Sequence, residues 1–290
     1  MERPAGHENS NEVVPALYVV ATPIGNLQDI TLRALEVLRE VPTIAAEDTR
    51  VVSRLLNHYG IAGKKLVPLH EHNENRAATR IVAALQGGES VALASDAGTP
   101  AFCDPGARLV AATREAGFRV VPIPGANAAV AALSASGYTD PHFLFYGFLP
   151  AKAGERRDAL ERLKALSYLT VFYEAPHRIQ ETLEDLANVL GPTRRILIAR
   201  ELTKLFESIH ACELGVARQW IAEDPNRSRG EFVLIVEGAR EDRDAVMLAG
   251  TRALEVLLEE LPVRQAAALA ARITGARKNE LYQIALKLKR

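Results

Sequence analysis

Between residues 16 and 123, five short and almost wholly apolar runs alternate with stretches of helical periodicity. No other feature of the chain constrains its fold as much. The runs are 16–22, 43–46, 65–69, 90–94 and 119–122, and the helical patterns between them cover 30–39, 51–58, 75–86 and 107–116. A strand that is apolar on both faces needs cover on both faces, and a parallel sheet connected through helices supplies it. Leu32, Leu35 and Leu38 are expected to share the buried face of the first helix. The region predicts a first α/β domain, 16–125, with a parallel sheet.

After Pro124-Gly125, a helix of small residues around 126–135 leads into a second alternation. Its strands are expected at 142–146, 168–173, 195–199, 206–211 and 231–236, and its helices at 154–166, 179–190 and 214–222. The last two strands flank only one short helix, which predicts a mixed sheet in a second α/β domain, 126–240. A charged linker, 238–244, precedes a helical segment, 241–290. There the helical pattern, the Thr274-Gly275 turn and a further helix suit either a helix-turn-helix or a plain helical hairpin.

Charge is distributed unevenly. From 264 to 290, seven basic residues (Arg264, Arg272, Arg277, Lys278, Lys287, Lys289 and Arg290) accompany one acid, Glu280, although the whole chain carries −1. A basic end on an acidic body suggests a polyanionic partner, or else a solvated terminal helix. Residues 1–15 are polar, read as a flexible tail, and lack the apolar core of a signal peptide. No run is long enough to span a bilayer, and the two cysteines have no metal-ligand spacing. A cytoplasmic protein without a membrane partner is expected.

The chemistry-bearing residues fall in loops that follow strands, where α/β sheets bind ligands. One loop, 95–106, reads Ser-Asp-Ala-Gly-Thr-Pro-Ala-Phe-Cys-Asp-Pro-Gly. Gly98 permits close backbone approach, and Asp104-Pro105 reads as the cap and first residue of the next helix. Another, 21–31, lacks both common glycine-rich phosphate signatures, so it is expected to line a site without gripping phosphate, with Asp29 or Thr31 capping the helix beyond. Glu47 and Asp48 beside Arg50 suit proton transfer or substrate binding, and equally a helix cap. His70 and His72 have no third ligand at clear spacing, so no metal is expected. Asn73, Asn75 and Arg76 suit ribose or phosphate. Charges gather again in 173–178 and 200–207.

These segments, in this order, resemble the ribosomal RNA small subunit methyltransferase I family of the tetrapyrrole methylase superfamily. The resemblance rests on Thr22-Pro-Ile-Gly-Asn-Leu, Glu47-Asp-Thr-Arg, His70-Glu-His-Asn-Glu, Ser95-Asp-Ala-Gly-Thr-Pro, Asp104-Pro-Gly, Gly147-Phe-Leu-Pro, Tyr173-Glu-Ala-Pro-His-Arg, Arg200-Glu-Leu-Thr-Lys and Gly230-Glu-Phe, with shorter matches between them across 17–238. Ala101-Phe102-Cys103 departs from the usual aliphatic-serine stretch, and Asn127 stands where serine is common.

The resemblance implies two α/β domains and a helical appendage, a homodimer, and S-adenosylmethionine (AdoMet) as methyl donor. It implies methylation of a cytidine ribose 2′-oxygen in the decoding region of 16S rRNA, cytidine 1402 in the usual numbering. Ile24, Gly25, Asp96, Gly98, Thr99, Asn127 and Ala128 would hold the donor. A group that accepts the hydroxyl proton could be Glu47, Asp48, Glu174, His177, Lys204 or Glu207. Arg50, Asn73, Arg76, Arg178, Arg200, Arg277 and Lys278 would meet RNA, guanidinium groups being suited to phosphate. Two other functions share parts of this pattern: a small-molecule methyltransferase for tetrapyrrole precursors, and a non-enzymatic RNA-binding protein.

Overall fold

A computed structural model describes residues 15–70, 72–239 and 243–288. Residues 1–14 of the expected tail (1–15), Glu71, and the basic Lys289 and Arg290 lie outside the described residues. The chain divides into two compact units, one holding residues up to 161 together with 169–236, the other holding 162–168 and 237–290.

In the larger unit, β1 (Ala16–Val20), β2 (Thr43–Ala46), β3 (Lys65–Pro68), β4 (Val91–Ala94) and β5 (Arg119–Ile123) form a parallel sheet in the order β3-β2-β4-β1-β5. Side chains alternate between its faces. Val20, Ile44, Ala46, Ala92 and Ile123 pack against α1 (Leu32–Glu40) and α2 (Thr49–His58). On the other face Leu17, Ala45, Val91 and Leu93 pack against α3 (Glu74–Gln86) and α4 (Ala107–Glu115). The apolar strands are therefore covered on both sides, as their composition requires.

Leu32 is a correction: it is 79% exposed, whereas Leu35 and Leu38 are buried. At 3.6 residues per turn, the buried stripe through Ala34, Leu35, Val37 and Leu38 leaves Leu32 on the opposite side. Thr31 caps this helix, its hydroxyl accepting from the Ala34 N–H at 3.1 Å.

The second sheet joins β6 (Phe143–Phe148), β7 (Leu169–Glu174), β8 (Arg195–Arg200), β9 (Ser208–Glu213) and β10 (Phe232–Val236) in the order β6-β7-β10-β8-β9. Only β6 and β7 run parallel, so the sheet is mixed as expected. The small-residue helix α5 (Ala128–Ser134) places Ala129 and Ala132 against Val171, Leu197 and Val233 on one of its faces. Strand β9 begins two residues later than the sequence pattern suggested. The preceding turn is tied by Glu201 and Thr203 in left-handed backbone conformation and by the Thr203 N–H donating to Glu207 Oε2 at 2.6 Å. Helices α6 (Ala153–Leu163), α7 (Ile179–Leu190) and α8 (Leu214–Ala222) complete the alternation.

The smaller unit holds α9 (Arg243–Glu260), α10 (Val263–Thr274) and α11 (Lys278–Leu288). Arg243 and Asp244, read from sequence as linker, are already helical. Leu254, Ala267, Ala270, Leu281 and Ala285 form its core. Gly275 ends α10 in left-handed conformation and turns the chain into α11. No helix among the described residues is long and apolar enough to cross a membrane.

Candidate functional site

The loops after β1 and β4 are locked together. Thr22 and Gly98 exchange backbone hydrogen bonds of 2.9 and 3.1 Å, while the Ser95 hydroxyl donates to the Gly98 carbonyl and the Thr22 hydroxyl to the Ser95 carbonyl. Gly98 has φ +84°, a conformation that favours glycine. The second sheet contributes the ends of its central strands. Because β10 is antiparallel to β7 and β8, Phe232 lies opposite both Glu174 and Arg200.

A cavity of about 340 Å³ lies between these two sets of strand ends. One set provides Ile24, Ala97, Gly98, Thr99, Phe102, Cys103, Asp104, Asn127 and Ala128; the other provides Phe148, Tyr173, Glu174, Ala175, Pro176, Ala199, Leu202, Glu231, Phe232 and Val233. The sets also meet beside the cavity. The Asn26 N–H donates to Thr203 Oγ1 at 3.1 Å, and a Cβ on Gly25 would lie 3.1 Å from the Leu202 carbonyl oxygen.

Aromatic side chains order one wall. Phe102 stacks on Phe145 at 4.3 Å, and Tyr173 meets the edges of Phe145 and Phe148 at 5.1 and 5.6 Å. The Tyr173 hydroxyl accepts from the Ala129 N–H, and burial pushes its pKa up to about 12. Burial and neighbouring Asp104 likewise raise the Cys103 thiol, so both groups are neutral at physiological pH.

Five of the seven residues expected to hold a donor line this cavity: Ile24, Gly98, Thr99, Asn127 and Ala128. Gly25 and Asp96 lie outside its lining. Gly25 packs behind it on Thr203 and Lys204, and Asp96 Oδ1 accepts from the Asp48 N–H at 3.0 Å.

Of the six expected proton acceptors, Glu174 alone is in the lining. Its carboxylate is buried and engaged by the Ala175 N–H (2.8 Å), the Thr182 hydroxyl (2.6 Å) and Arg178 (3.3 Å). Asp48 caps α2, and its hydrogen bonds from Arg50 lower its pKa to about 2. Lys204 carries a desolvation cost, but hydrogen bonds to Glu201 (2.7 Å) and Glu231 (2.8 Å) hold its pKa above the usual value. Glu207 accepts from Thr203 N–H. Glu47, raised by partial burial and by Asp96, is exposed, as is His177.

The expected RNA-contacting residues separate into two groups. Arg178 donates to the Leu149 and Pro150 carbonyls, and Arg200 to the Asn226, Arg229 and Phe206 carbonyls, so both guanidinium groups fasten loops. Asn73 is similarly engaged, accepting from His70 N–H and donating to the Pro68 carbonyl. Arg50, Arg76, Arg277 and Lys278 are exposed.

Asp104 is the residue that sequence reasoning passed over. Its expected role as helix cap is corrected by the structure: α4 starts at Ala107, and Glu74 Oε1 accepts from the Gly106 and Arg108 N–H groups, both at 2.9 Å. Asp104 is thereby left to the cavity. Burial, reinforced by the charges of Glu47 and Asp96, raises its pKa to about 6, with the nearby Ser95 hydroxyl acting in the opposite direction. The competing cap comes from a glutamate thirty positions earlier, a pairing that no local pattern reveals. Among the described residues, no cluster of three or more side chains suited to a metal ion occurs.

Comparison with known proteins places this geometry. A model of the tetrapyrrole (corrin/porphyrin) methylases matches residues 16–217, and one of the RsmI C-terminal HTH domain matches 244–289. The chain is 50% identical over 281 residues to ribosomal RNA small subunit methyltransferase I of Escherichia coli O157:H7, covering 97% of this chain and 98% of that one. It is 52% identical over 273 residues to the protein of the same name from Pseudomonas aeruginosa, covering 93% and 96%. Among solved structures, the methyltransferase CobJ shares the fold (TM-score 0.59, 24% identity, 78% of this chain and 95% of that one). So does uroporphyrin-III C-methyltransferase from Thermus thermophilus complexed with S-adenyl homocysteine (TM-score 0.53, 17% identity, 77% and 97%).

Proposed function

We propose that this chain, which belongs to the tetrapyrrole methylase family and within it to the ribosomal RNA small subunit methyltransferase I proteins, methylates small-subunit ribosomal RNA with AdoMet as donor. The acceptor in this reading is the ribose 2′-oxygen of a cytidine in the decoding region, cytidine 1402 in the usual numbering. When bound, AdoMet supplies a methyl group on a positively charged sulfur, which an oxygen can displace in line.

One observation carries the reading: the cavity between the two sets of strand ends suits such a donor. Its volume is within the range of small-molecule sites. Ile24, Phe102, Phe148 and Leu202 offer apolar and aromatic surface, and Asp104, Glu174 and Glu231 set negative charge around a space meant for a cation. At Gly98 a side chain would be strained and would crowd Ile24, with Cβ 3.3 Å from Cγ2, so bare backbone borders the space. These residues position reactants, which is the main demand when the transferred group arrives already activated.

Gly25, Asp96 and the residues of 200–207 then act from behind, holding the walls in register. Arg50, Arg76, Arg277 and Lys278 are assigned to phosphates; Arg178 and Arg200 are assigned to loop positioning. The segment 241–290 docks on RNA. A homodimer is also proposed, with Leu205 and Phe206, 90% and 67% exposed, as apolar side chains for a second copy to cover. Sedimentation equilibrium giving the mass of one chain would contradict the dimer. In this reading the protein acts where ribosomal subunits are assembled, in the cytoplasm.

The deciding experiment offers labelled AdoMet with small ribosomal subunits, free 16S rRNA or a porphyrinogen. Label in RNA supports the reading, and label confined to the porphyrinogen supports the small-molecule alternative. Calorimetry showing no AdoMet binding would instead support a non-enzymatic RNA-binding protein.

A further inference from the structure

We infer that Asp104 takes the proton from the ribose hydroxyl during methyl transfer. This rests on the function proposed above, which supplies the hydroxyl. The cavity wall holds few groups able to accept that proton. Three carboxylates line it: Asp104, Glu174 and Glu231. Glu174 is engaged by a backbone N–H, a threonine hydroxyl and a guanidinium, so a proton arriving there would break a buried network. Glu231 is held by Lys204 at 2.8 Å, and its side chain is 74% exposed. The remaining polar side chains with proton chemistry in the lining, Cys103 and Tyr173, stay protonated.

Asp104 differs from all of these. It sits on a turn whose preceding residue, Cys103, has φ +67°, and Ala101 is left-handed as well at φ +62°. Backbone strain of this kind persists where surrounding structure imposes it, and Cys103 is fixed against Gly147, where a Cβ would meet its sulfur at 2.8 Å. Glu74 performs the helix capping that Asp104-Pro105 would otherwise provide. The groups facing Asp104 are the Ser95 hydroxyl and Asp96 at the end of β4, Glu47 at the end of β2, Cys103 on its own loop, and the Tyr173 hydroxyl from β7. All the charged ones are acids. Burial raises its proton affinity and these acids add to it, and a carboxylate of raised pKa is a better base.

The step balances. The ribose O2′ forms a bond to the methyl carbon as the carbon–sulfur bond breaks, and that electron pair returns to sulfur. The hydroxyl proton passes to a carboxylate oxygen of Asp104 and later to solvent. The positive charge on sulfur and the negative charge on Asp104 are discharged together, so the cavity ends the reaction less polar than it began.

The test compares wild type with Asp104→Asn and Asp104→Glu in four measurements. Calorimetry with S-adenosylhomocysteine is expected to give affinities within about threefold of one another, since the asparagine keeps the shape. Single-turnover methylation of small ribosomal subunits at pH 7 is expected to fall at least about 100-fold in Asp104→Asn, with partial recovery in Asp104→Glu. The wild-type rate should rise through an apparent pKa near 6, and this rise should vanish in Asp104→Asn. Carbon-13 NMR of the ligand-free protein should show one aspartate titrating in that range, absent from the variant. If Asp104→Asn methylates at the wild-type rate, or if its only defect is lost S-adenosylhomocysteine binding, the inference is overturned. If the wild-type protein itself puts no methyl group on RNA, the proposed function fails instead.

Discussion

Glu74 caps a helix to which it does not belong: one oxygen of its carboxylate accepts the N–H groups of Gly106 and Arg108, both at 2.9 Å. Glu74 is 7% exposed. Removing it leaves the Gly106 N–H without its buried partner and deletes a negative charge from the positive end of α4. Glu74→Ala is expected to cost about 2–3 kcal/mol in urea unfolding. It should also slow methylation, because Asp104 would be free to fold back as the cap. Glu74→Gln keeps an acceptor and should lose less on both counts. A Glu74→Ala protein of wild-type stability would contradict the capping role.

Gly98 joins the loops after β1 and β4 from a left-handed conformation. Gly98→Ala is expected to destabilise by about 1–2 kcal/mol through that conformation. The added Cβ, 3.3 Å from Ile24 Cγ2, should also push the wall inward. AdoMet affinity should weaken about tenfold, which is about 1.4 kcal/mol. Thermal unfolding and calorimetry measure the two effects separately, and unchanged affinity would remove Gly98 from the cavity wall.

Asp104 links the site to stability. Its folded pKa, about 6, lies above the ordinary 3.8, so the folded protein binds this proton more tightly than the unfolded chain does. Stability from this group is complete below pH 4 and is lost as pH rises through about 6. Asp104→Asn should therefore be more stable than wild type at pH 7, by about 1–2 kcal/mol once solvent on the open side is allowed for. The difference should shrink toward zero near pH 4. Equal stabilities at pH 7 would mean that the carboxylate carries no such penalty.

Arg277 and Lys278 stand at the start of α11, away from any loop-fastening role of the kind Arg178 and Arg200 perform. Replacing both with alanine should weaken binding to small ribosomal subunits and reduce the slope of log affinity against log salt by about 2. AdoMet affinity should not change. An unaltered salt slope would dissociate this segment from RNA phosphates.

Much of the fold was legible because its cause is local. Strands apolar on both faces announce a covered parallel sheet, and Ala45 between Ile44 and Ala46 is buried exactly as that reading requires of both faces. The mixed second sheet followed from the scarcity of helix between its last strands. The site was legible only as loops. The family resemblance, not residue spacing, pointed to Ile24, Gly98, Thr99, Asn127 and Ala128, which line one cavity, and neither could divide the acids into caps, network members and free groups. Asp48 was legible both as a base and as the helix cap that it is, whereas Glu174 read as a candidate base because its partner Thr182 reaches it only through the turn of a helix. Asp104 read as a cap because the true cap comes from another helix. Leu32 was misplaced for a simpler reason: spacings of three residues drift around a helix, and six residues carry a leucine off the stripe.

The central claim is that this cavity delivers a methyl group to a ribose oxygen. Small ribosomal subunits lacking the modification, incubated with the protein and AdoMet, digested to nucleosides and analysed by mass spectrometry, test it directly. The account predicts 2′-O-methylcytidine, formed with wild type and nearly absent with Asp104→Asn. Methyl groups on a base, or none in the RNA while AdoMet binds normally, would contradict it.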